Sequence, residues 1–93
     1  MTPKIKLFKS KERKVLDDVS SILHELADKI SEGEIILKRG EEQTTLHLPK
    51  HVTLEIEADE QRKPRERVKQ SLEIEITWYQ GEEGNDDQSF EIG

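Results

Sequence analysis

Leu72-Glu73-Ile74-Glu75-Ile76-Thr77-Trp78-Tyr79 alternates apolar with polar residues at every step. A β-strand sends successive side chains to opposite faces, so this run has one apolar face, ending in the only Trp, and one polar face. A helix would scatter the two sets around its circumference, so the period predicts a strand. Val52, Leu54, Ile56 and Ala58 alternate in the same way with Thr53, Glu55 and Glu57. The two segments read as paired strands, separated by a polar connection from Asp59 to about Val68 that contains Pro64 and is expected to be an exposed loop.

Upstream, Val15, Leu16, Val19, Ile22, Leu23, Leu26, Ala27 and Ile30 recur at steps of one, three and four, which lays one apolar stripe along a helix. Ser10 is the expected N-cap, and Gly33 the expected left-handed residue after the last turn. Phe8, just ahead of that cap, is placed to pack back on the first turns. Before the helix, Lys4-Ile5-Lys6-Leu7 reads as a short strand. After it, Glu34–Arg39 and Gln43–Leu48 read as a hairpin turning at Gly40, and Pro49 ends the second strand. The expected order is β-α-β-β-β-β: an α+β two-layer sandwich, with one long amphipathic helix packed on a mainly antiparallel sheet of about five strands. Leu23, Leu26, Ile56, Ile74, Ile76 and Trp78 are the expected structural core, with Trp78 closing one end and Tyr79 facing outward.

Ninety-three residues suit one small domain, read here as residues 1–80 followed by an acidic tail, 81–93, expected to be disordered. With 31% hydrophobic and 39% charged residues, order depends on placing the apolar residues in stripes. The absence of Cys removes disulfides, thiolate metal sites and Cys nucleophiles. No apolar run reaches about 18 residues, so no membrane span is expected, and a cytoplasmic prokaryotic protein is. The net charge of −6 argues against bulk binding to nucleic acid or anionic membrane. It is unevenly spread: residues 1–14 and 62–70 are strongly basic, and no cation follows Ser71.

The helix sequence Leu23-His24-Glu25-Leu26-Ala27, then Glu32-Gly33-Glu34-Ile35 ahead of a hairpin, then two alternating strands of which the last ends in Trp78, resembles the amphi-Trp domain. That family is named for an amphipathic strand terminating in Trp. The resemblance runs from Ile5 to Tyr79 and implies a small prokaryotic domain of unknown function, with no catalytic residues to carry over. The cation-rich 62–69 loop departs from what the family leads one to expect.

Ser20, His24 and Asp28 share a helical stripe, but neighbours on an exposed helix face do not make a nucleophile–base pair, and no Gly-rich elbow accompanies them. His47 and His51 have helical metal spacing in an extended context broken by Pro49, so no metal site is expected. Glu55, Glu57, Glu73 and Glu75 are expected to share the solvated sheet face, with Lys4 and Lys6 of the first strand beside them. No cofactor is expected, and no enzymatic activity. The reading is a small protein-interaction or structural module, monomeric or homodimeric. Its candidate partner surface comprises Arg62, Lys63, Arg65, Arg67, Lys69, Glu73, Glu75 and Tyr79. The alternative is a weak nucleic-acid or phosphate binder gripping phosphates with the 62–69 cations.

Overall fold

A computed structural model describes residues 2–81. The expectation of a disordered acidic tail therefore lies outside the described residues, apart from Gly81. The chain divides into two compact units, the first ending at Leu48 and the second beginning at Pro49.

The first unit holds the helix α1 (Leu16–Glu32) and an antiparallel hairpin of β1 (Glu34–Arg39) and β2 (Glu42–His47). The helix starts five residues later than a Ser10 cap would set it. Its N-cap is Val15, and the Ser10 hydroxyl instead lies 3.5 Å from Glu12 Oε2. The physical reason is the helix dipole. A start at Ser10 would place Lys11, Arg13 and Lys14 at the positive end, whereas a start at Leu16 places Asp17 and Asp18 there. The C-terminus forms as expected, with Gly33 at φ 83° and its N–H donating to the Lys29 and Ile30 carbonyls.

Leu48 N–H donates to the Gly33 carbonyl at 2.8 Å, so the exit of β2 is stitched to the end of the helix. The hairpin turns through Gly40 and Glu41, and Gly40 has φ 61°. Glycine first in a two-residue loop suits the right-handed twist of the flanking strands. Helix α1 packs on β1. Ile35 is buried, and Phe8, Leu26, Ile30, Leu37, Leu46 and Leu48 are half-buried. The core of this unit thus gathers at the C-terminal half of the helix, while Leu16, Val19, Ile22 and Leu23 stay exposed.

No strand forms at Lys4–Leu7; residues 2–15 have no regular secondary structure. This segment meets the hairpin through side chains, Thr44 Oγ1 donating to the Leu7 carbonyl at 3.0 Å and Arg39 Nη1 to the Lys9 carbonyl at 3.3 Å. Single contacts of this kind hold a segment without the paired backbone ladder of a strand.

The second unit is one long antiparallel ribbon of β3 (Thr53–Lys63) and β4 (Arg67–Thr77). Among the described residues the fold is therefore α+β with one helix and two separate two-stranded sheets, β1-β2 and β3-β4, in place of one sheet of about five strands. Two causes are visible: the first strand is missing, and Leu48 to Val52, around Pro49, form no ladder. The connection expected from Asp59 to Val68 shrinks to Pro64, Arg65 and Glu66, because the ladder continues through polar pairs such as Glu60 and Gln70, whose side chains hydrogen-bond at 3.0 Å. Backbone pairing carries a ladder past the end of its apolar residues once the register is set.

Candidate functional site

The β3–β4 ribbon gathers nearly all the candidate surface residues. Its register places Leu54 opposite Ile76, Ile56 opposite Ile74 and Ala58 opposite Leu72. Residues two apart along a strand share a face, so these six form one apolar face. On the other face Glu55 is opposite Glu75, Glu57 opposite Glu73 and Asp59 opposite Ser71, as the matching of the two apolar sets requires.

Towards the turn the sign of the polar face reverses. Lys63 is opposite Arg67, and Lys69 is opposite Gln61. Arg65 sits at the apex of the turn, and Arg62, opposite Val68, belongs to the other face. The basic set expected on one exposed loop is therefore split. Lys63, Arg67 and Lys69 stand on the acidic ribbon face, Arg65 is at its tip, and Arg62 extends the apolar face.

Arg65 and Glu66 take positive φ of 66° and 58°, a region that costs a non-glycine residue roughly 1–2 kcal/mol. Carboxylate oxygens of Glu57, Asp59 and Glu73 lie within 4.8 Å of one another, all exposed. A register that stacks acidic residues on one face is sufficient to bring these three together. Asp59 was absent from the sequence-derived acidic set. The signal for it was present, since it continues the alternation of Glu55 and Glu57 beyond Ala58.

The expected core residues are placed unevenly. Leu26, Ile76 and Trp78 are half-buried, whereas Leu23, Ile56 and Ile74 are exposed at 46%, 61% and 53%. A two-stranded ribbon has no second layer of its own, so its apolar face stays open within the unit. Tyr79, just beyond β4, faces outward as expected and is 80% exposed.

Ser20, His24 and Asp28 are all exposed on α1, with no side-chain hydrogen bond joining them among the described residues. His47 Nδ1 lies 3.4 Å from Glu34 Oε2, its cross-strand neighbour. At the N-terminus Lys14 Nζ reaches Glu12 Oε1 at 2.9 Å. That hydrogen bond and the charge of Lys14 hold the Glu12 carboxyl below the usual carboxylate range and push the Lys14 ammonium up. No helix among the described residues is long and apolar enough to cross a membrane.

The family model of the Amphi-Trp domain matches residues 1–93. The match includes the acidic tail, which the sequence resemblance had left outside. No curated protein and no solved structure matches the chain.

Proposed function

Because this chain belongs to the Amphi-Trp domain family, we propose that it is a small, non-enzymatic, cytoplasmic module that binds protein, with the polar face of the β3–β4 ribbon as its working surface. The observation that carries this reading is the like-charge pairing on that face. Glu55 faces Glu75, Glu57 faces Glu73 and Lys63 faces Arg67. Like charges directly opposite each other destabilise a sheet, so the arrangement costs the ribbon stability and leaves a surface that a partner of complementary charge relieves.

The test is affinity capture from the source organism, with the native chain and a Glu55→Lys/Glu57→Lys variant as parallel baits. The proposal expects discrete proteins held by the native chain and lost by the variant. Equal retention by both baits overturns it.

A second reading rests on one further observation, the clustering of Lys63, Arg67 and Lys69 on one face with Arg65 at the tip. Such a cluster suits a phosphate backbone, and phosphate contacts give a steep salt dependence. Short single-stranded RNA and DNA titrated at low salt decide it. Binding that weakens steeply with salt and disappears on Arg67→Glu/Lys69→Glu supports a nucleic-acid binder, and absence of binding at low salt removes that reading.

A further inference from the structure

We propose that two copies of this chain associate through the outer edge of β4, joining two ribbons into a four-stranded antiparallel sheet of order β3-β4-β4-β3, centred on Ser71. This goes beyond the working surface proposed above and does not depend on it.

The starting point is an open edge. Strand β4 pairs only with β3, so the row of backbone donors and acceptors on its far side has no ladder partner among the described residues. An edge strand of this length is a template for another strand, and a lone two-stranded ribbon is marginally stable in water. Two-fold symmetry then restricts the geometry, because residue i must meet residue j of the other copy while j meets i. The apolar faces must also fall on the same side, which excludes every register that places an even-numbered residue opposite an odd-numbered one.

Among the remaining registers, the charge order along β4 singles out one. The strand reads Arg67, Lys69, Ser71, Glu73, Glu75 along its polar face, basic at the start and acidic at the end with Ser71 midway. Laid antiparallel on itself about Ser71, it sets Arg67 opposite the second copy's Glu75 and Lys69 opposite the second copy's Glu73. By symmetry each pair occurs twice, and Ser71 meets Ser71. The other face sets Val68 opposite Ile74 and Gln70 opposite Leu72.

A shift of the centre to Leu72 keeps only Lys69 with Glu75, and a shift to Glu73 places Glu73 on Glu73. The β3 edge does worse over the same nine-residue overlap. Centred on Asp59, it matches only Glu55 with Lys63 and sets Asp59 on Asp59.

The second copy supplies what the single ribbon lacks. Within one ribbon, Arg67, Glu73 and Glu75 each face a residue of their own sign and Lys69 faces a neutral Gln61. None of the four has an ion-pair partner among the described residues. Across the proposed edge all four gain an opposite charge, and opposite-charge cross-strand pairs stabilise a sheet.

The test uses the full chain. It contains no Cys, so Ser71→Cys introduces a single thiol at the two-fold centre, where facing residues of an antiparallel pair sit within the Cα separation a disulfide tolerates. Under mild oxidation this variant is expected to cross-link to a dimer at least tenfold faster than Asp59→Cys, the matched control on the β3 edge. In sedimentation equilibrium, Arg67→Glu/Lys69→Glu is expected to weaken self-association at least tenfold. Adding Glu73→Lys/Glu75→Lys to that variant reverses every charge pair together and is expected to restore it, whereas Glu73→Lys/Glu75→Lys alone, which relieves the same repulsion within the ribbon but sets like charges across the edge, is expected to associate at least tenfold more weakly than the native chain. Cross-linking no faster than the Asp59→Cys control, a native chain that stays monomeric at high concentration, or no rescue by the fourfold swap overturns the proposal.

Discussion

Glu57 is one of three clustered carboxylates on the ribbon, and its replacement should stabilise the protein. Its carboxylate lies within 4.8 Å of those of Asp59 and Glu73. Two like charges at that separation repel by about 0.9 kcal/mol in bulk water. All three groups are exposed, so the high-dielectric figure applies, and screening at physiological ionic strength, with a Debye length of about 8 Å, reduces it to roughly half. Two such repulsions give about 1 kcal/mol that Glu57→Gln removes. Glu57→Lys turns both into attractions and gains about 2 kcal/mol on the same reasoning.

The assay is thermal and urea unfolding of the native chain and both variants, in low salt and in about 0.5 M NaCl. For a domain of this size, 1 kcal/mol corresponds to roughly 4–8 °C in Tm. The expected order of stability is Lys above Gln above native, with the differences shrinking by about half at high salt as the Debye length contracts. Variants no more stable than the native chain, or gains indifferent to salt, would refute the stacked-carboxylate face and with it the β3–β4 register that creates it.

Three further outcomes follow from the local geometry. Val15 caps α1 without a side-chain hydrogen bond, so Val15→Ser or Val15→Asp should raise stability by about 1 kcal/mol, read as a higher melting temperature by circular dichroism at 222 nm. Glu66 holds φ 58°, and Glu66→Gly should relieve that strain for a net gain of about 0.5–1 kcal/mol, measured as a higher urea midpoint with an unchanged slope. Lys14→Ala should return the Glu12 carboxyl to the ordinary carboxylate range in an NMR titration. A carboxyl depressed by folding contributes stability above its unfolded value and loses it as pH falls through the folded value. Both groups are exposed, so this change should leave the melting temperature of the native chain and the variant alike.

Period-two alternation was legible in Leu72–Tyr79 and Val52–Ala58 without any coordinates, because a pleated strand must sort its side chains onto two faces. The same logic placed Glu55, Glu57, Glu73 and Glu75 on one surface, and the structure pairs them as the apolar register demands. The helix stripe and the Gly33 terminus were equally legible, since both are local consequences of helical period and glycine's freedom at positive φ.

The ends of elements were less so. Ser10 has the right chemistry for a cap, yet the basic residues that follow it oppose the positive end of the dipole, so the choice between Ser10 and Val15 rests on a balance of local energies. Asp59 to Val68 looked like loop because its residues are polar, and the continued ladder owes its existence to backbone pairing that composition does not display.

The sequence by itself determined the class of each segment, the faces it presents and the sign of the charge on those faces, because period and residue type act within a few residues. Tertiary structure alone decided which strands share a sheet. Pairing depends on backbone groups finding partners far along the chain, and every candidate edge offers the same donors and acceptors. Leu72–Thr77 carried its two faces from the start, but only the fold closed one of its edges on β3.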